Sequence, residues 1–106
     1  MSDEGDIGEF LARAKSEYRD ALPEKLKELE AALARLENEP ERCDELRKMF
    51  DGVHRLSGSA GSFGLDDIGL VADEWERRIK ELRSCGAKPS DFSAMRTYIA
   101  RIRALL

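Results

Sequence analysis

The chain carries one histidine, His54, and its two cysteines, Cys43 and Cys85, lie far apart with neither CxxC nor Cys/His spacing. That inventory makes a zinc site implausible, and both cysteines read as reduced thiols. The chemistry left is that of a single imidazole. A water-exposed imidazole titrates near about pH 6.5, so at neutral pH one ring nitrogen keeps its lone pair and can attack phosphorus. A general base would come with an orienting carboxylate and a second reacting group. Asp51, one turn back, is a carboxylate that could reach the other nitrogen.

His54 lies in the run Val53-His54-Arg55-Leu56-Ser57-Gly58-Ser59-Ala60-Gly61-Ser62-Phe63-Gly64. The run has helical patterning yet holds Gly58 and Gly61, each costing about 1 kcal/mol against alanine in a helix interior. Leu46, Met49, Phe50, Val53, Leu56 and Ala60 share one arc of that helix. His54 falls roughly 110° from the centre of the arc, on its shoulder. Arg47, Asp51, Gly58 and Gly61 project in about the same direction. Gly58, one turn after His54, leaves the imidazole open to an approaching surface. A lone histidine at a helix edge is also what an ordinary surface residue looks like, and spacing alone leaves both readings open.

The elements that must hold this stretch are helices. Ile7, Phe10, Leu11, Ala14 and Tyr18 predict a short first helix to about Leu22. Pro23 suits the first position of a second, with the stripe Leu26, Leu29, Leu33 and Leu36. Asn38-Glu39-Pro40 breaks the chain, and the His54 helix follows, ending at Gly64. Asp66 and Asp67 open the next, with the stripe Ile68, Val71, Ala72, Trp75, Ile79 and Leu82; Arg77, Arg78, Lys80, Arg83 and Gly86 close it. Ser90 is a candidate N-cap for a last helix bearing Phe92, Met95, Ile99, Ile102 and Leu106. No segment alternates as a strand does. The expectation is one all-α domain over residues 1–106: an antiparallel four-helix bundle with a short additional N-terminal helix packed on it, residues 1–6 being a disordered leader.

Composition narrows the partners. Of 106 residues, 42% are hydrophobic and 38% charged, with a net charge of -4, so no basic face offers itself to nucleic acid. No apolar run approaches the roughly 20 residues of a membrane span, and the acidic N-terminus is unlike a signal peptide. A cytoplasmic monomer is expected, its stripes satisfied within the bundle.

From His54 through Gly58, Ala60, Phe63 and Gly64, and on to Ile68, Ala72 and Glu76, the sequence resembles the histidine-containing phosphotransfer (HPt) domain. That family's pattern runs His-x-Leu-(often Lys)-Gly-(Ser/Ala)-Ala-x-x-(apolar)-Gly, then Leu or Ile, Ala, and Leu-Glu. The resemblance implies a phosphorelay intermediate. His54 would accept a phosphoryl group from a receiver-domain aspartyl phosphate and pass it to another receiver aspartate, and Gly58 would let the receiver dock. The partners implied are receiver domains of response regulators and hybrid histidine kinases. No cofactor would be bound by this chain; Mg²⁺ is expected on the receiver, and no kinase activity is expected. Gly61, Arg55, Arg47, Asp51 and Ser57 complete the expected docking set. Ser57 stands where many members have lysine, with Arg55, Arg47 or the partner as the replacement charge, and Trp75 replaces the usual leucine before Glu76. Two other readings stay open: a non-catalytic helical adaptor, and a phosphotransfer domain phosphorylated directly by a histidine kinase. A start methionine and no further domain after Leu106 favour a free-standing protein over the latter.

Overall fold

A computed structural model describes residues 3–82 and 86–106, with the side chains of residues 3–5 left aside. Four helices follow in order: α1 (Asp3–Asn38), α2 (Cys43–Ser62), α3 (Asp66–Glu81) and α4 (Pro89–Leu105). No strand occurs among the described residues, and no helix is long and apolar enough to cross a membrane. The expected all-α four-helix bundle is the fold. Its core is the set of stripes read from the periodicity: Leu26, Leu33 and Leu36 of α1, Met49, Val53 and Leu56 of α2, Ile68, Ala72 and Trp75 of α3, and Met95 and Ile102 of α4 are all but inaccessible to water.

The first helix departs from expectation. It is one element of 36 residues with Pro23 inside it, not a short helix followed by a second. Proline has no N–H for the Arg19 carbonyl, a defect that costs about 3 kcal/mol in a helix interior. Leu22 and Leu26, both fully buried, clamp the chain on either side of the defect, so tertiary packing overrides the local preference. Helix begins at Asp3, within the stretch read as a disordered leader. At about 1.5 Å per residue α1 is about 54 Å long, which accounts for the 58 Å long axis of a molecule only 21 by 20 Å across.

α2 ends as the glycine signal required. Gly64 has φ +74°; its N–H donates to the Gly61 carbonyl and that of Leu65 to the Ala60 carbonyl, a Schellman closure whose buried Leu65 seals the turn. α3 lies close on α2 at Gly69, where an added Cβ would sit 3.7 Å from the backbone of Gly61 and Ser57. α4 starts at Pro89, with Lys88 preceding it. The Lys88 N–H donates to Asp91 Oδ2 at 2.8 Å, so Ser90 lies inside the helix and is not its cap. The opposite end of α4 is tied to α1 by Arg19, whose guanidinium donates to the Leu105 carbonyl at 2.8 Å, a cation on a helix C-terminus. Leu106, expected in the core, is 37% exposed; the partly buried Leu105 packs there instead.

Cys43 is disulfide-bonded, which corrects its reading as a reduced thiol. Cys85 and the helix-closing Arg83 lie outside the described residues.

Candidate functional site

Helix α2 presents His54 outward, and its side chain keeps 65% of its surface exposed. The shoulder position follows from periodicity: Val53 and Leu56 on either side of it are buried, and the turn between them faces out. The imidazole is nevertheless not free to rotate. Its Nδ1 lies 2.6 Å from Glu76 Oε1 on α3, 22 residues further on. A carboxylate only accepts, so the ring proton sits on Nδ1 and the lone pair on Nε2. The Phe50 ring lies nearly parallel to the imidazole, 11° between planes and 5.8 Å between centroids, and is half-buried where the periodicity expected core.

Glu76 is buried in this protein at 9% exposure. Lys80, one turn further along α3, brings its Nζ to 3.6 Å from the same Oε1 and lies 5.8 Å from the Phe50 ring centroid. Imidazole and ammonium thus both meet Glu76 Oε1 at the α2–α3 seam, and both lie beside the Phe50 ring. Such an array holds one tautomer, balances a positive charge developing on the imidazole, and leaves Nε2 facing solvent.

The remaining sequence candidates are placed unequally. Asp51 does not orient His54; it is exposed, and its carbonyl accepts a hydrogen bond from Arg55 Nε at 3.3 Å. Arg55 turns to the groove between α1 and α2, beside Lys25, Lys48 and Gly52. Ser57 donates its hydroxyl to Asp73 of α3, a second tie across the same seam. Arg47 is exposed two turns before His54. Gly58 and Gly61 are exposed, and a Cβ on either would meet nothing within 4 Å. The bundle therefore has no packing need for glycine at these two positions, and the outer face beside His54 is smooth.

Sequence reasoning missed Glu76 and Lys80 as members of the site. Glu76 was legible only as the last residue of a motif, and its i, i+4 relation to Lys80 was the one local signal of their pairing. Among the described residues no group of three or more His, Cys, Asp or Glu could hold a metal ion.

The structure thus presents one oriented, solvent-facing imidazole beside a smooth helix face of a helical bundle. The chain belongs to the Hpt domain family, whose pattern matches residues 13–105. It is 34% identical over 67 residues to the chemotaxis protein CheA of Rhizobium meliloti (strain 1021). That match takes in 63% of this chain and 9% of the relative. No solved structure gives a significant match. Membership makes this a histidine phosphotransfer module of two-component signalling, a class that works with kinase and receiver partners.

Proposed function

We propose that the chain is a phosphorelay intermediate whose phosphoacceptor is His54 Nε2. The observation that carries this reading is the pairing of His54 Nδ1 with Glu76 Oε1 at 2.6 Å while the imidazole stays 65% exposed. In the forward step the Nε2 lone pair attacks the phosphorus of a receiver aspartyl phosphate. The P–N bond forms as the P–O bond to the aspartate breaks, and the aspartate leaves as carboxylate. The imidazolium so formed keeps its proton on Nδ1, which donates it in the hydrogen bond to Glu76 Oε1. Transfer onward reverses these bonds at a second receiver aspartate.

Phosphoryl transfer of this kind depends mainly on in-line positioning and charge balance. The chain supplies the positioned nucleophile and, in Lys80, a nearby cation. Mg²⁺ belongs in this reading to the receiver. Gly58 and Gly61 provide the face on which the receiver settles, with Arg47 and Asp51 at its edge. The chain itself has no ATP-binding element in its sequence, so it is a carrier and not a kinase, and it works in the cytoplasm where its partners are.

The likeness to a chemotaxis protein favours a second reading, in which His54 takes its phosphoryl group directly from a kinase's ATP-binding domain. One experiment separates the two. The protein and its His54→Gln variant are incubated with Mg²⁺ and either a phosphorylated receiver or a kinase catalytic domain with ATP. An acid-labile, base-stable phosphate acquired from the receiver and absent in the variant supports the relay. Label from the kinase alone supports the second reading. No label from either returns the chain to the adaptor reading.

A further inference from the structure

Two torsions, χ1 and χ2, place the His54 imidazole, and χ2 of an imidazole is a broad, soft torsion. The bond from Nδ1 to Glu76 Oε1 at 2.6 Å fixes one combination of the two. A rocking of the ring about Oε1 keeps that bond and sweeps Nε2 sideways, since a hydrogen bond tolerates a wide range of acceptor directions. Solvent does not stop the motion of a side chain that is 65% exposed. A neighbour packed on the ring face does.

Phe50 is that neighbour. It stands one turn before His54 on α2, at i, i+4, so the helix itself sets its place. Its ring is 11° from parallel with the imidazole and 5.8 Å away between centroids, within the range of an offset stack. Met49 and Val53 beside it are buried, whereas Phe50 is only partly buried at the margin of the core. That margin anchors a ring in the bundle and still leaves a face for a surface imidazole. Lys80 Nζ lies 5.8 Å from the Phe50 centroid, inside the roughly 6 Å reach of a cation–π contact, and 3.6 Å from Glu76 Oε1. The contacts therefore close on themselves: His54 to Glu76, Glu76 to Lys80, Lys80 to Phe50 and Phe50 back to His54. Two of the four come from α2 and two from α3, each pair at i, i+4.

We propose that Phe50 is the positioning residue that fixes the plane of the His54 imidazole, and with it the line along which Nε2 meets phosphorus. The inference rests on His54 as the phosphoacceptor. The Nε2 lone pair lies in the ring plane, so the plane sets the direction of attack. Direction matters in a reaction governed by in-line positioning, where a misplacement of about 1 Å costs on the order of 100-fold.

The test compares wild type with Phe50→Leu and Phe50→Met, which fill the space without a ring face, and with Phe50→Tyr, which keeps one. Carbon relaxation of the His54 ring reads its order directly. The order parameter should stay high in wild type and Phe50→Tyr and fall below about 0.6, the range of flexible groups, in Phe50→Leu and Phe50→Met. Single-turnover transfer from a phosphorylated receiver with Mg²⁺ should slow by roughly 5- to 20-fold in the two ringless variants. Receiver affinity and the circular dichroism spectrum should not change, and Phe50→Tyr should keep the wild-type rate. An imidazole as ordered without the Phe50 ring as with it overturns the proposal, whatever the rates. So does a loosened imidazole with undiminished transfer, or a Phe50→Tyr protein that behaves as Phe50→Leu does. Slower transfer with weaker receiver affinity assigns Phe50 to docking and overturns it too. A wild type that takes no phosphoryl group from receiver or kinase removes the reading of His54 as phosphoacceptor, and ring order across the four proteins still decides whether Phe50 holds the imidazole.

Discussion

His54 Nδ1 and Glu76 Oε1, 2.6 Å apart across the α2–α3 seam, are the contact that turns a surface histidine into an oriented one. Without Glu76 the ring keeps its exposure but loses the bond that selects its tautomer. Glu76→Ala is expected to slow phosphoryl transfer by about 10- to 100-fold, the range typical of an orienting partner of a functional histidine. Glu76→Gln, whose amide oxygen still accepts from Nδ1, should recover part of that loss. Nitrogen chemical shifts of the imidazole provide the check: the Nδ1–H tautomer should dominate in the wild type and not in the alanine variant.

The cation beside the site is Lys80 and not Arg55. Lys80→Gln should lower the transfer rate several-fold, roughly 3- to 10-fold, because the carboxylate that holds His54 loses its partner at 3.6 Å. Arg55→Gln should leave the rate unchanged, since that guanidinium faces the α1–α2 groove. Equal effects in the two variants would remove Lys80 from the site.

Two glycines of α2 separate docking from packing. Gly58→Leu meets open space and gains helix propensity, so stability should hold or rise by up to about 1 kcal/mol, while transfer from a receiver slows strongly. Gly52→Leu should do the opposite. Its Cβ would come 3.3 Å from Leu29 Cδ2, and the extra atoms would overpack the α1–α2 interface at a cost of about 1–3 kcal/mol. Denaturant midpoints beside transfer rates decide both.

Pro23 is a removable defect. Because it is exposed and interior to α1, Pro23→Ala restores an N–H for the Arg19 carbonyl and should stabilise the protein by about 1–3 kcal/mol. Thermal unfolding is the measurement, and a lowered melting temperature would show that the proline shapes a bend the bundle needs.

Acid should weaken the α3–α4 seam through Glu74. The hydrogen bond from Arg101 holds this carboxyl below its ordinary value, at 2.8 Å. A carboxylate depressed in the folded state contributes stability above its unfolded pKa, about 4.3, and loses it as pH falls through the lower folded value. Glu74→Gln should therefore flatten the decline in stability below about pH 4. Both groups are solvent-exposed, so the change is small, and it should shrink further in high salt.

Much of the fold was legible because helical periodicity is local. The apolar stripes, the break at Asn38-Glu39-Pro40 and the glycine stop at Gly64 all depend on residues within a turn or two of one another. Where the reading failed, a tertiary contact outweighed a local signal. Pro23 reads as a helix start, yet the buried Leu22 and Leu26 carry the helix through it. Ile7, Phe10 and Leu11 read as a packed stripe, yet they are exposed, because α1 outruns the helices that would cover them.

The same division runs through the site. The sequence by itself determined that His54 lies on the shoulder of an amphipathic helix with Gly58 clear beside it, since a 100° step per residue settles which way each side chain of one helix points. It could not choose between Asp51, a turn away, and Glu76, a helix away, as the carboxylate on His54. That choice belongs to the close packing of α3 on α2 at Gly69, which fixes the rotation and height of one helix against the other. Only in the tertiary structure do Glu76, Lys80 and Asp73 meet the His54 face, because periodicity sets the face of a helix but not what the neighbouring helix brings to it.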